Sequence, residues 1–162
     1  MTRVDLNADM GESFGPWKMG DDAALLNIVT SANIACGAHA GDPDVMAATM
    51  ALARDNDVGI GTHPGFSDLQ GFGRRRMHVP IASLQNSIRV QVGASLGMAR
   101  ALGTKVRHLK LLIYQIKIYA RILHIINEEL HVLLNQRMNL LVPSIFLFLD
   151  LLIFHYFHYP YI

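Results

Sequence analysis

Strand-like and helical patterns alternate along the first 110 residues of this chain of 162 residues. Short apolar runs typical of strands cover residues 3–9, 32–35, 58–62 and 106–110. Helical patterns are predicted over residues 22–30, from Pro43 onward, and from Pro80 to Gly103. Regular alternation of strand and helix favours parallel strands joined by right-handed crossovers. The predicted fold class is therefore α/β, with about four β/α units.

The predicted helix that begins at Pro43 carries the clearest local signals. Asp42 can accept backbone N–H bonds as an N-cap, and proline is favoured at the first helical position. Apolar side chains then recur at helical spacing, which predicts a face that packs on the sheet. The members of this apolar stripe are Val45, Met46, Thr49, Leu52 and Ala53.

The first strand pattern alternates apolar residues with acidic or amide residues and stops at a glycine. Because strand side chains alternate between the two faces, Asp5, Asn7 and Asp9 are expected to share one face. Glu12 follows the glycine. Oxygen-rich side chains at a strand end suit a cation, a phosphate-bound metal or acid/base chemistry. An edge strand that faces solvent accounts for the same residues equally well.

Two later strand patterns each end in small residues and a histidine, which are His39 and His63. One histidine at a strand end is usually structural, but two in successive units after an acidic strand favour a site. Small residues beside them let backbone or ligand approach closely. In α/β folds the active site lies at the carboxyl ends of the strands, where these residues are predicted to meet.

Four motifs in the same order and at compatible spacing resemble one known family. They are Asp-Leu-Asn-Ala-Asp-Met-Gly-Glu at 5–12, Asn-Ile-Ala-Cys-Gly-Ala-His-Ala-Gly-Asp-Pro at 33–43, Gly-Thr-His-Pro at 61–64 and Gly-Phe-Gly-Arg-Arg at 71–75. This set resembles the LamB/YcsF family, whose members are also known as the 5-oxoprolinase A subunit. The resemblance covers residues 1 to about 110. It implies a partial (β/α) barrel of the deacetylase-like type.

The resemblance implies an enzyme subunit that opens 5-oxo-L-proline to L-glutamate with hydrolysis of ATP, together with the B and C subunits as partners. A lactam carbonyl is a poor electrophile, so this chemistry needs groups that bind phosphate and a base for water. Candidates for catalysis are Asp5, Asn7, Asp9, Glu12, His39 and His63. Candidates for binding ATP phosphates are Arg74, Arg75 and Lys110. Asp9, His39 and His63 are also candidate ligands of a divalent metal ion.

Composition narrows the function classes. The formal net charge of +1 gives no reason to expect nucleic acid or an anionic membrane surface as a partner. The single cysteine, Cys36, fits a reducing compartment. The first residues, Met-Thr-Arg-Val-Asp, lead directly into a strand pattern without a signal-peptide core. A cytoplasmic location is the expectation. The sequence contains no Walker-type loop, so a nucleotide site would be of another design.

The composition changes sharply after Lys110, which predicts two segments, 1–110 and 111–162. All 13 glycines lie at or before Gly103, whereas residues 111–162 contain 21 Leu or Ile in 52 positions. Natural α/β domains need turn chemistry throughout. The second segment is interpreted as the product of a frameshift or gene junction.

Residues 112–137 have the spacing of one long amphipathic helix. Residues 140–162 are more apolar still, and Asp150 at their centre disfavours a membrane span without excluding membrane contact. The second segment is therefore predicted to be helical and apolar.

Family members continue from the lysine at position 110 into Pro-His-Gly-Ala-Leu-Tyr-Asn, but this chain continues into Leu111-Leu112-Ile113-Tyr114. We therefore expect a truncated, impaired form of the family enzyme. Two alternatives stay open. One is a metal-dependent carbohydrate deacetylase-like hydrolase. The other is a non-catalytic fragment whose C-terminal helix self-associates or binds a membrane.

Overall fold

The structure is a computed structural model, and it describes residues 4–112. Apart from Leu111 and Leu112, the second segment lies outside the described residues, and with it lie the predicted helix over residues 112–137 and the apolar tail. Within residues 4–112 no helix is long and apolar enough to cross a membrane.

Four parallel strands form one sheet. They are β1 (Asn7–Met10), β2 (Ser31–Ala35), β3 (Gly59–His63) and β4 (Val106–Leu109), and they lie side by side in chain order. Each strand pairs in parallel with the next. The alternation of strands and helices in the sequence therefore predicted the α/β class and the parallel sheet correctly.

Three helices connect the strands. They are α1 (Asp22–Leu25), α2 (Pro43–Asp55) and α3 (Ile81–Ala101). Asp42 caps α2 as predicted, because its side chain accepts hydrogen bonds from the backbone N–H groups of Asp44 and Val45. At the end of α3, the backbone N–H groups of Gly103 and Thr104 bond to Arg100 and Ala99, and Gly103 has a φ of +69°. This is the left-handed helix end for which glycine is favoured.

Helix α1 is shorter than the predicted helix over residues 22–30. The Thr30 N–H donates to the Leu6 carbonyl at 2.8 Å, so the chain must already be extended there to enter β2. The side chains of Leu26 and Val29 are buried in the core, which ties this turn to the sheet without further helix. Asp21 caps the helix, because its side chain accepts a bond from the Ala24 N–H.

The two faces of the sheet differ in chemistry. One face packs on α2 and α3 through a buried apolar cluster that includes Met10, Ile34, Met50 and Ile60. The opposite face is polar, and its residues are in register across all four strands. We define the polar face by Asn7, Asp9, Asn33, Gly61, His63, His108 and Lys110.

Candidate active site

The polar face ends in a cluster of ionisable side chains at the carboxyl edge of the sheet. Asp9 comes from β1 and His63 is the last residue of β3. Glu12 follows β1, His39 lies in the connection from β2 to α2, and Lys110 follows β4. Because all four strands run in the same direction, their ends bring these distant residues together.

Asp9 is the most heavily bonded member of the cluster. The Lys110 ammonium donates to its two carboxylate oxygens at 2.6 and 2.8 Å, and the Asn33 amide donates at 3.0 Å. Burial raises the pKa of Asp9, but His63, Lys110 and Asn33 together bring this pKa below its usual value. Since His63 is itself neutral at neutral pH, Lys110 is the cation that keeps Asp9 ionised there.

His39 and His63 are both fully buried and lie side by side. Their ring centroids are 5.0 Å apart, and the rings meet edge to face. Burial lowers the pKa of His39 to about 3, with a further contribution from His63. Burial also lowers the pKa of His63, against the opposing effect of Asp9. Both imidazoles are therefore neutral at neutral pH.

The nitrogen atoms of these rings are mostly without hydrogen-bond partners. His63 Nδ1 lies 2.7 Å from the Lys110 carbonyl oxygen. Within residues 4–112, neither nitrogen of His39 has a hydrogen-bond partner, and Nε2 of His63 has none either. His63 Nε2 is 3.6 Å from the nearer Asp9 oxygen, beyond ordinary hydrogen-bond length.

Glu12 completes the cluster on its other side. Burial raises the pKa of Glu12, and the neighbouring Asp9 carboxylate raises it further, while Arg74 acts in the opposite direction. One ligand atom each of Glu12, His39 and His63 lie within 4.8 Å of one another. The arrangement can bind a cation or move a proton between carboxylate and imidazole.

A polar layer in register with Asp9, which the sequence reasoning missed, crosses the sheet from Asn33 to His108. His108 Nε2 lies 2.8 Å from the Asn33 amide oxygen, and the Asn33 amide nitrogen donates to both Asn7 and Asp9. Because an amide oxygen only accepts, His108 must carry its proton on Nε2. His108 stands two residues before Lys110, so strand periodicity would have placed both on one face.

Gly61 makes this layer sterically feasible. A Cβ atom at Gly61 would lie 2.1 Å from His108 Nε2. The imidazole therefore crosses over β3 through space that any other residue would fill. Burial lowers the pKa of His108, so the ring is neutral at neutral pH.

Three predicted site residues do not join the cluster. Asp5 is exposed near the amino end of the sheet, where it accepts hydrogen bonds from Thr30 and, at 3.0 and 3.1 Å, from Ser31. Arg75 forms an ion pair with the buried Asp68 carboxylate, with Nε 3.0 Å from each oxygen. Asn7 lies one layer below Asp9 and is linked to it through Asn33, which donates to both side chains.

Arg74 lies at the exposed rim of the cluster. Its guanidinium carbon is 5.1 Å from the centroid of the Phe72 ring, and Phe72 in turn meets His39 edge to face. The charge of Arg74 lowers the pKa of both Glu12 and His39, although it is not the largest influence on either. Of the two predicted phosphate-binding arginines, Arg74 is therefore the one that faces the cluster.

One concavity of the described residues lies away from this cluster. It measures about 420 Å³ and lies between the connection after β2 and the first half of α3, beside Gly37, Ser67 and Gln91. It contains none of the carboxylates or histidines described above. The candidate site is therefore identified by its chemistry and not by the size of its cavity.

Comparisons with known proteins identify relatives of this chain. A family model described as "LamB/YcsF family" matches residues 4–133. The 5-oxoprolinase A subunit of Ruegeria pomeroyi is 79% identical over 111 residues, which are 68% of this chain and 44% of that protein. The 5-oxoprolinase A subunit of Rhodopseudomonas palustris is 55% identical over 109 residues, or 67% of this chain and 43% of that protein. The chain thus spans less than half the length of these relatives.

A solved structure is similar as well. The crystal structure of a lactam utilization protein from Thermus thermophilus matches with a TM-score of 0.75 and 35% sequence identity. The match covers 80% of this chain and 55% of that chain.

Proposed function

This chain belongs to the LamB/YcsF family, and on that premise we propose that it acts as one subunit of a 5-oxoprolinase. The proposed reaction opens 5-oxo-L-proline to L-glutamate with hydrolysis of ATP. The relatives are named as one lettered subunit of the enzyme, which supports an assembly with further subunits, B and C. We further propose that the four-stranded sheet is the front part of a deacetylase-like (β/α) barrel in a cytoplasmic enzyme.

The single observation that carries the proposal is the convergence of motif residues at one edge of the sheet. Asp9, His39 and His63 come from three different motifs and meet beside Lys110. Residues that share only a packing role are not expected to be ionisable, buried and adjacent.

In this proposal Asp9 acts on a proton of the reacting water or lactam. Lys110 and Asn33 keep the Asp9 carboxylate ionised and oriented, so its side chain loses little conformational freedom when substrate binds. A depressed pKa weakens a base, and therefore orientation, more than basicity, is the contribution of Asp9.

ATP phosphates fit the rim of the site better than its interior. Arg74 is exposed there and presents a guanidinium group, which matches phosphate oxygens. Lys110 already donates to both oxygens of Asp9, which leaves one N–H for a phosphate, and Arg75 is engaged by Asp68. When bound, ATP would supply the phosphoryl group that activates the lactam oxygen.

The test compares two aspartates of the same strand segment in a full-length relative supplied with its partner subunits. At the positions that align with Asp9 and Asp5, each aspartate is changed to Asn. We expect Asp9→Asn to lower glutamate release from 5-oxoproline by a factor of about 100 or more. Asp5→Asn should retain activity, because Asp5 lies at the other end of the sheet.

Melting temperatures accompany both assays. The Asp9→Asn variant should melt within a few degrees of the parent, since a site residue contributes more to chemistry than to packing. An active Asp9→Asn variant, or one that unfolds, would contradict the proposed role.

A metal-dependent deacetylase-like hydrolase is the second candidate, and the two buried histidines with unpartnered nitrogens within residues 4–112 favour it. The two candidates separate by product. Release of acetate from N-acetylated carbohydrate without ATP would support the deacetylase, whereas release of glutamate that requires ATP would support the lactam-opening enzyme.

A further inference from the structure

We propose that Glu12, His39 and His63 bind one divalent transition-metal ion of the zinc class. The ligand atoms of these three residues already lie within 4.8 Å of one another. This inference deepens the proposed function and rests on it only for the ion's use in catalysis, because ion binding can be measured without turnover.

The buried nitrogen atoms are the first independent support. His39 and His63 are 0% exposed, and three of their four ring nitrogens have no hydrogen-bond partner within residues 4–112. Buried polar atoms in folded proteins are nearly always satisfied by protein, water or an ion. Two such rings side by side beside a carboxylate therefore point to a shared ligand.

The orientation of His63 is the second support. The Lys110 carbonyl oxygen, 2.7 Å from Nδ1, can only accept a hydrogen bond, so Nδ1 must be the protonated nitrogen. The lone pair is then on Nε2, which is the nitrogen directed toward Asp9 and, within the described residues, free of a hydrogen bond. A backbone carbonyl that fixes the outer nitrogen of a histidine is the usual support of a metal ligand.

The ligand set selects the class of ion. Two imidazoles with one carboxylate suit Zn²⁺ and similar ions, and such a set leaves a coordination position open. Mg²⁺ and Ca²⁺ prefer ligand sets made of oxygen atoms. Since metal–ligand bonds of zinc are roughly 2.0–2.2 Å long, the three ligands must move together slightly on binding. Glu12 is only partly buried and follows Gly11, so its side chain has room for that motion.

The sequence-based hypothesis made Asp9 the carboxylate ligand of the ion, whereas here that ligand is Glu12. Both oxygens of Asp9 accept bonds from Lys110, and one accepts a further bond from Asn33. The Lys110 ammonium already neutralises this carboxylate, so Asp9 attracts a second cation less strongly than an unpaired carboxylate would. Asp9 therefore lies beside the ion and positions the site without being its ligand.

The experiment uses the full chain, purified without a histidine tag and stripped with a chelator. Zn²⁺ is titrated by calorimetry, and Co²⁺ is titrated by its visible absorption, which reports the ligand geometry. We expect one equivalent of tightly bound ion. Glu12→Gln should weaken Zn²⁺ binding by a factor of about 10 to 100 or more. His78→Gln, which removes a histidine outside the cluster, should leave binding unchanged.

Three results of the titrations would overturn the proposal. They are no stoichiometric binding, equal binding by the parent and Glu12→Gln, and loss of binding in Asp9→Asn but not in Glu12→Gln. Far-UV circular dichroism checks that each variant is folded. Glu12 is suited to this test because it is only partly buried, so its substitution should not disturb the fold. Tight binding without lactam opening by the full-length relative would leave the metal site standing and contradict the proposed function. Turnover by a relative that holds no ion would contradict the site alone.

Discussion

At the scale of single residues, Gly61 has a steric role. Its missing side chain is the space through which the His108 ring reaches Asn33. Gly93 and Gly97 in α3 are opposite cases, because a Cβ atom at either position would meet nothing within 4 Å. Gly61 is therefore required, whereas Gly93 and Gly97 can be replaced.

Gly61→Ala should lower the free energy of unfolding by about 1–3 kcal/mol, since it forces an overpacked contact with His108. The same change in a His108→Ala background should cost clearly less, because the clashing ring is gone. Urea unfolding of the two single variants and the double variant measures this coupling.

Gly93→Ala and Gly97→Ala are the controls for Gly61. Both lie inside α3, where alanine favours the helix by roughly 0.5–1 kcal/mol over glycine. These variants should be as stable as the parent or more stable. Equal costs for Gly61→Ala in both backgrounds would contradict the assigned role of the glycine.

Arg74 and Arg75 are adjacent in sequence, but we expect their substitutions to have different effects on stability and on ATP binding. Arg75→Gln should lower the melting temperature, because it leaves the buried Asp68 carboxylate without its cation. Arg74→Gln should leave the melting temperature unchanged and weaken ATP binding in the assembled enzyme. Thermal melts and nucleotide titrations of the matched pair distinguish the two roles.

The pH dependence of the Arg75 variant has a definite sign. The hydrogen bond from Arg75 lowers the pKa of Asp68 below its unfolded value of 3.8. A depressed carboxyl pKa stabilises the fold fully above the unfolded pKa and loses that effect as the pH falls through the folded pKa. The melting-temperature difference between parent and Arg75→Gln should therefore be full above about pH 4 and shrink in stronger acid. A difference that grows in acid would contradict this account.

Residue positions set by the strands and their ends were easier to predict than positions set by a long loop. The shared face of Asn7 and Asp9 follows from the period of two in a strand, and the approach of His39 and His63 follows from parallel strands. The partner of Arg75 depends on the path of a long loop, which residue spacing does not specify. Nothing in the local sequence therefore pointed to Asp68.

At the scale of elements, α2 shows what periodicity predicts and what it leaves open. The predicted stripe contained Met46, Thr49 and Ala53, which are buried. It also contained Leu52, which is 41% exposed, and it omitted Met50, which is fully buried. Met50 and Leu52 are two residues apart and so lie on different sides of the helix, which means that only one of them can face the sheet. The helix is oriented so that Met50 faces it.

Met50→Ala should lower the free energy of unfolding by about 2–5 kcal/mol, since it leaves a cavity between α2 and the sheet. Leu52→Ala, two residues away in the same helix, should cost less than half as much. Chemical denaturation of both variants tests the helix orientation. Equal costs, or a larger cost for Leu52→Ala, would contradict it.

At the scale of the whole molecule, the two faces of one sheet divide the tasks of folding and chemistry. Helices α2 and α3 cover the apolar face, and its burial is the main source of stability. The polar face has its hydrogen bonds arranged in layers, from Asn7 through the level of Asp9 and Asn33 to Lys110. Alternation of elements predicted the sheet, but the order of these layers depends on strand register, which the sequence does not display.

We expect that the strand ends from β1 to β4 do not suffice for catalysis. The matched segment is only 44% of the length of the Ruegeria pomeroyi relative, and catalytic groups of barrels come from the ends of several strands. We therefore expect residues 1–162, mixed with partner subunits, to release no glutamate above background. A chimera of residues 1–110 and the remainder of that relative should release glutamate with ATP.

His63→Gln in the chimera is the matched control, and it should abolish release while the chimera stays folded, since the buried ring belongs to the cluster beside Asp9. An inactive but folded chimera would show that the polar face of this chain no longer supports the reaction. Glutamate release by residues 1–162 would show that the strand ends from β1 to β4 suffice for catalysis, and that the groups from later strands of the relatives are dispensable.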